Sequence, residues 1–371
     1  MRHSWILFLQ FTFLLGCIDH NEGTHEIDST SSIDTSRTNL VVRYAEGFNV
    51  TYQDNGTLIE TFSFGDNTFW QDSILVSGQR DGQAADKQII PSQDLRFACQ
   101  SSTHLSFLDA LESADNLCGL CGVQYVTESR LNGIITNNKV LEICQGEGLL
   151  QEALLTAAPD IYLRFPFQSS FDPKDISVNS LYIAEYLEKT ALARLEWIKL
   201  FGVLLAKSDQ ANAYFEEKER AYHSVQLNSN QLNKSFILNL PYNDEWYMPA
   251  ENSLLVNLID DAGIYYFYGN EEGTENILHP KEQVWNDAGE CDYWIIVASR
   301  PVGFTLGNLI AEDPVYSTFK PVREKQVIFC NTSTVPYFTK GVLEPDVMLR
   351  DLLFATGQIN DHQPVYFRLL D

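Results

Sequence analysis

Residues 181–228 read LYIAEYLEKTALARLEWIKLFGVLLAKSDQANAYFEEKERAYHSVQLN, two helical stretches in succession with no strand-like run between them. The first, Leu192 to Ala206, is apolar nearly all round (Leu195, Trp197, Ile198, Leu200, Phe201, Val203, Leu204, Leu205), which is the pattern of a buried helix. The second opens at Lys207-Ser208-Asp209, a helix-start signature. Its apolar positions Ala211, Tyr214, Phe215, Ala221, Tyr222 and Val225 fall mostly on one face, and Glu216, Glu217, Glu219 and Arg220 on another. An Asn and Ser run from Asn228 to Asn233 ends it. Strands and helices alternate on both sides of this block. The pattern suits a two-lobed protein with a rigid helical spine, and it fits equally well two ordinary helices within one continuous α/β domain.

Outward from the block, the strand signals are regular. Before it, Leu95–Cys99, Leu117–Val123, Val140–Cys144 and Ile161–Phe165 read as short buried strands, with a helix from Leu105 to Leu111. After it come Phe236–Leu240, a helix at Ser253–Ala262, a short segment near Tyr265–Tyr268, then Tyr293–Ala298, Gln326–Cys330 and a closing helix from Pro345 to Thr356. Strands separated by helices predict mostly parallel sheets. Residues 39–79 instead alternate apolar and polar, with Asn55-Gly56 as a hairpin signal, and predict a small antiparallel element added to the first lobe.

The chain has 371 residues, enough for two domains, and a formal net charge of -25. Without any basic run, that charge excludes nucleic-acid binding through phosphates and predicts a solvated surface. Arg2 and His3 followed by the apolar run Trp5–Gly16 have the form of a secretory signal peptide, too short for a stable membrane anchor. Leu14-Leu15-Gly16-Cys17 resembles the bacterial lipobox, in which the Cys is lipidated on its thiol and becomes the first residue. The alternative is a signal peptide with an incidental Cys. Residues 18–38, rich in Ser, Thr, Asp and Glu, read as a disordered tether.

Six further cysteines follow: Cys99, Cys118, Cys121, Cys144, Cys291 and Cys330. Cys118-Gly119-Leu120-Cys121 is a lone CxxC with no second ligand pair for zinc. Small buried residues are the first expectation for it, a structural disulfide the second.

Several motifs, in order and at matching spacing, resemble the periplasmic solute-binding lipoproteins of ABC importers for iron-siderophore complexes, haem and cobalamin. They are Leu95 to His104 ending in Ser101-Ser102-Thr103-His104, Asp115 to Gly122, Ala158-Pro159-Asp160-Ile161, Glu185-Tyr186-Leu187-Glu188, and Arg194-Leu195-Glu196-Trp197-Ile198-Lys199. In the second half, Trp246-Tyr247-Met248-Pro249 with Ser253, Asp261-Ala262-Gly263 and Glu344-Pro345-Asp346 continue the match, which covers most of the chain from Leu95 to Gly357. The chain departs from one subgroup at Ala191-Leu192-Ala193 (Pro-Leu-Gly), at Ala250-Glu251 (Gly-Gly) and throughout Glu142 to Glu152.

The resemblance implies an α/β fold of two lobes with mostly parallel sheets joined by a single long spine helix. It divides the chain into a first lobe with its added β element (39–206), a spine (207–229) and a second lobe (230–371). In such sheets ligands sit at the carboxyl ends of strands. That rule selects Ser101, Ser102, His104, Gln124, Tyr125 and Arg164 from the first lobe. From the second it selects Tyr242, Trp246, Tyr247, Ser299, Arg300, Asn331 and Tyr337. Aromatics suit the flat faces of a porphyrin, corrin or catecholate, and arginine suits their carboxylates or phosphates. Trp246 and Tyr247 could equally be lobe packing, Arg164 and Arg300 surface residues, and His104 a helix cap rather than an iron ligand. A bare-ion site is disfavoured, since His3, His20 and His25 lie in the leader and tether. Glu282 matches a position at which the family docks onto permease arginines, with Glu185 and Glu188 as weak first-lobe counterparts.

The expected protein is a monomeric, membrane-anchored periplasmic lipoprotein. It carries an iron siderophore, haem or cobalamin to an ABC permease and its ATPase, and needs no cofactor of its own. The alternatives are a hydrolase-like enzyme on the same scaffold, with Ser102 and His104 as its nucleophile and base, or an accessory lipoprotein without transport.

Overall fold

In the computed structural model, residues 40–62, 71–78, 87–146, 148–164, 177–243, 245–273 and 276–371 are described. The lipobox Cys17, the tether and Phe165 lie outside them. The chain runs β1 (Phe48–Gln53), β2 (Gly56–Phe62), β3 (Gln71–Val76), β4 (Gln88–Ile89), β5 (Phe97–Cys99), α1 (Ser102–Ala110), β6 (Leu117–Leu120) and α2 (Ser129–Asn137). There follow β7 (Leu141–Glu142), β8 (Cys144–Gln145), β9 (Gly148–Leu149), α3 (Gln151–Ala157), β10 (Ile161–Arg164) and β11 (Asn179–Tyr182). The helical block is α4 (Ala191–Glu196), α5 (Ile198–Leu204) and α6 (Ser208–Gln226). The second half holds β12 (Ser235–Leu238), β13 (Glu245–Pro249), α7 (Leu254–Asp261), β14 (Tyr265–Tyr266), β15 (Asn276–Pro280) and α8 (Lys281–Ala288). It ends with β16 (Tyr293–Ala298), α9 (Leu306–Glu312), α10 (Lys320–Arg323), β17 (Val327–Asn331), α11 (Pro345–Ala355) and β18 (Arg368–Leu369).

Two five-stranded sheets form the lobes. The first has the order β11-β10-β5-β6-β7, and every pair in it is parallel. The second has the order β14-β12-β16-β17-β18, parallel except for the antiparallel edge strand β18. Central strands such as β5, β10 and β17 are buried along their whole length, so their sequences are apolar runs broken only at the carboxyl ends, by Arg164 in β10 and Asn331 in β17. The added element is a sheet ordered β1-β2-β3-β4 with three antiparallel strands and a short parallel fourth. Its hairpin turn is Asp54-Asn55, one residue earlier than the Asn-Gly signal suggested. Gly56 opens β2 at φ +152°, where a Cβ would come within 2.5 Å of the Val76 carbonyl oxygen.

The expected single helix from Leu192 to Ala206 is two helices meeting at Trp197. The Trp197 indole donates to Glu188 at 2.8 Å and its ring packs on Phe48 at 5.0 Å, so the break turns the side chain toward the segment that leads into the added sheet. The spine α6 reaches both lobes. On the first-lobe side its Glu219 accepts from Arg43 and from the Tyr44 hydroxyl. On the other side Tyr222 and Gln226 donate to Asp261 of α7, and Lys218 pairs with Asp346 of α11.

Buried carboxylates hold the loops. Glu196 accepts the backbone N–H groups of Arg43, Tyr44 and Ala45, and Glu188 those of Glu46 and Gly47. Asp351 accepts those of Val365, Tyr366 and Phe367, fixing the C-terminal strand. Glu185 and Glu188 are therefore internal, at 0% and 1% exposure, and neither is a docking carboxylate.

Burial pushes the Glu188 carboxyl up from 4.5 to about 7 despite its three donors. The folded state thus holds this proton more tightly than the unfolded chain. Its stabilising contribution is full below pH 4.5 and is lost as the pH rises toward 7. Relative to Glu188→Gln, wild type should lose about 3 kcal/mol across that window, measured by denaturant unfolding at pH 4.5, 6 and 7.5. Parallel pH profiles of the two proteins would contradict this.

Candidate functional site

The loops that leave the carboxyl ends of the two parallel sheets meet where the lobes touch. The Thr339 hydroxyl, beyond β17, donates to Glu128, beyond β6. Ser106 of α1 donates to the Phe338 carbonyl at 3.4 Å. Farther back along the seam, a cavity of about 80 Å³ is lined by Arg194, Leu258, Tyr337 and Met348 among others.

On the first lobe, Ser101 and Ser102 are half-buried at the start of α1. Ser101 is the helix cap, accepting from the Thr103 N–H at 3.2 Å, so the capping role considered for His104 belongs to it. His104 is fully buried, its Nε2 3.8 Å from Glu185, and neither ring nitrogen has a hydrogen-bond partner among the described residues. Burial holds its pKa down to about 4, leaving it neutral, and among the described residues no hydrogen bond joins it to Ser102. Gln124 and Tyr125 are exposed in the turn after β6, Tyr125 at 70%. Arg164, at the end of β10, is buried with its guanidinium 3.8 Å over the Tyr182 ring and 3.6 Å from Asp72 of the added sheet. Its Nε and Nη1 are without partners among the described residues.

On the second lobe the alternation of β13 decides two candidates. Trp246 faces inward, fully buried, donates to the Leu238 carbonyl at 2.8 Å and packs on Trp294 and Phe319. It is a core residue and not a cleft residue, because β13 turns Glu245 and Tyr247 out and Trp246 in. Tyr247 is exposed, its hydroxyl donating to Glu245, and Tyr242 stands exposed just before the strand. Arg300 is engaged by both oxygens of Glu312 at 2.7 and 3.1 Å, and Ser299 is exposed beside it. Asn331 clamps that loop, accepting from the Arg300 N–H and donating to the Arg300 carbonyl. Tyr337 is half-buried, and burial raises its hydroxyl to about 12.

Two features escaped the sequence reading. Phe338, 49% exposed, stands edge-on to Tyr337 at 5.2 Å and adds an aromatic face near the seam. The Glu128–Thr339 contact joins residues 211 positions apart, which no local pattern reveals. The CxxC expectation is corrected as well. Cys121 is bridged to Cys144, while Cys118 is the small buried thiol expected, donating to the Phe97 carbonyl. One end of the bridge, Cys144, lies in Glu142 to Glu152, the stretch that departs from the resemblance.

Comparison with known proteins then decides the family. Residues 123–334, more than half of the chain, match the family model described as periplasmic binding protein. The chain belongs to that family. A curated relative, an uncharacterised lipoprotein of Methanocaldococcus jannaschii, is 22% identical over 384 residues, covering 94% of this chain and 90% of its own. A periplasmic binding protein from Veillonella parvula has a TM-score of 0.60 at 15% identity, over 82% of this chain and 99% of that one. The periplasmic haem binding protein HutB of Vibrio cholerae has a TM-score of 0.56 at 12% identity, over 70% and 99%. At these identities the two structures establish the fold, and the two-lobed α/β architecture is that of the family.

Proposed function

We propose that the chain is the substrate-binding component of an ABC importer. It captures an iron chelate (a siderophore or haem) or cobalamin between its lobes and hands it to a permease. The observation that carries the reading is the meeting of two sets of strand-end loops across one seam, with a helical spine behind them. Tyr125, Tyr242, Tyr247 and Phe338 supply aromatic faces, and Arg164, whose buried Nε and Nη1 have no partner among the described residues, would serve an acidic ligand once the loops part to uncover it. Ser101, Ser102 and Tyr337 complete the proposed lining, while Arg300 reaches a ligand only by leaving Glu312. Glu282 lies exposed in the first turn of α8, where a permease cation can meet it. Cys17 would carry the lipid anchor, with residues 18–38 as the tether, outside the cytoplasm.

The test is a titration of the purified protein with ferric protoporphyrin, cyanocobalamin and a ferric tris-catecholate, followed by tryptophan quenching. Saturable quenching by at least one at micromolar or lower concentration is expected. No binding to any of them, together with hydrolysis of a model ester, would move the assignment to the enzyme reading.

A further inference from the structure

The segment from Cys121 to Glu128 is held from several sides. Cys121, the residue after β6, is bridged to Cys144 with their Cα atoms 4.9 Å apart. The carboxylate of Glu142, the last residue of β7, accepts the N–H groups of Gly122 and Val123 at 2.9 and 3.0 Å and that of Cys144 at 3.0 Å. Gly122 has φ +76°, and a Cβ there would come within 2.6 Å of the Tyr125 ring, so the ring lies directly on the glycine backbone. One face of Tyr125 is thereby supported while 70% of the residue is exposed. Beyond it, Val126 is buried, its carbonyl accepts from Asn132, and Glu128 meets Thr339 of the other lobe.

Among the described residues the bridge also has no thiol poised to attack it. The other described cysteines, Cys99, Cys118, Cys291 and Cys330, are buried, and burial raises Cys118 to about 11 and Cys291 and Cys330 to about 12. None of these thiols supplies the thiolate needed to attack the bridge at neutral pH. Cys121 and Cys144 are themselves half-buried, packed against a small apolar cluster rather than sealed within the core.

We propose that the Cys121–Cys144 bridge is a redox lock on ligand capture. When closed, it presents Tyr125 as a fixed stacking face for a flat conjugated ligand. When opened by a dithiol reductant, it frees residues 122–128 and weakens binding. The exchange balances: the S–S bond takes up two electrons and two protons to give two thiols, while the dithiol is oxidised to its own disulfide. The inference rests on the transport reading and adds to it a ligand face and a control.

The test compares wild type, Tyr125→Ala, Tyr125→Phe, Glu142→Gln and the double variant Cys121→Ser/Cys144→Ser. Each is titrated with ferric protoporphyrin and the ferric tris-catecholate, with and without a phosphine reductant. Tyr125→Ala should bind about tenfold more weakly and Tyr125→Phe near wild type, since stacking uses the ring and not the hydroxyl. Reduction or the double serine variant should cost a similar factor in wild type and less than about twofold in Tyr125→Ala, because the bridge acts through that ring. In the free protein, hydrogen exchange should rise at residues 122–128 on reduction and in Glu142→Gln while the sheets stay protected. Equal losses in both backgrounds, or unchanged exchange at 122–128, overturn the lock. Wild-type binding that Tyr125→Ala leaves intact overturns the stacking face and the lock that acts through it while sparing the transport reading, whereas a wild type that binds neither probe overturns the transport reading as well.

Discussion

Replacing Glu196 by alanine is expected to destabilise the protein by roughly 3–5 kcal/mol, read from the denaturation midpoint at unchanged slope. The carboxylate is fully buried and accepts the N–H groups of Arg43, Tyr44 and Ala45 at 3.0, 2.6 and 2.9 Å. It also neutralises the Lys199 ammonium at 2.6 Å, itself nearly buried and donating to the Val41 carbonyl. Truncation leaves a buried cation without its anion and three backbone donors without an acceptor. The cost is therefore well above that of an exposed pair such as Arg220–Glu216, which is worth less than about 1 kcal/mol. A loss below about 1 kcal/mol would show that water replaces the carboxylate and that the anchor is not structural.

Phe215→Ala should cost a comparable 3–5 kcal/mol, because the cavity it leaves lies where the spine meets the first lobe. Phe215 is fully buried in α6, 5.9 Å from the Tyr44 ring, with the Lys199 ammonium 4.2 Å over its face. The two substitutions share Lys199, so the double variant should lose less than the sum of the two singles. Strict additivity would place Phe215 outside the cluster. The second-lobe end of the spine, held by Tyr222 and Gln226 on Asp261, should keep its exchange protection in the single variant.

The spine was legible because its sequence is amphipathic over many turns, and β16 because it is a continuous apolar run matching Tyr293–Ala298 at both ends. The break at Trp197 was not, since the apolar run continues across it and the hydrogen bond of its indole to Glu188 lies outside any periodicity. β11 (Asn179–Tyr182) and the β13–β15 ribbon escaped for a related reason. They are short, and register with distant partners creates them more than their own propensity does. At the candidate site the strand-end rule selects positions and not orientations. It finds Tyr247 and Trp246 together, and only the pleat separates the outward residue from the inward one. Arg300 shows the same limit, for its partner Glu312 lies on α9, beyond the reach of the strand pattern.

The central claim is that a ligand is held between the strand-end loops of the two lobes. Hydrogen–deuterium exchange of the purified protein, with and without saturating ferric protoporphyrin, cyanocobalamin or ferric tris-catecholate, tests it most directly. At least one probe should slow exchange at residues 100–104 and 121–128 of the first lobe and, at the same time, at 299–302 and 331–340 of the second. Slowing confined to one lobe, slowing at the opposite strand ends around Lys234, Asp292 and Gln326, or no slowing with any of the three would contradict the account.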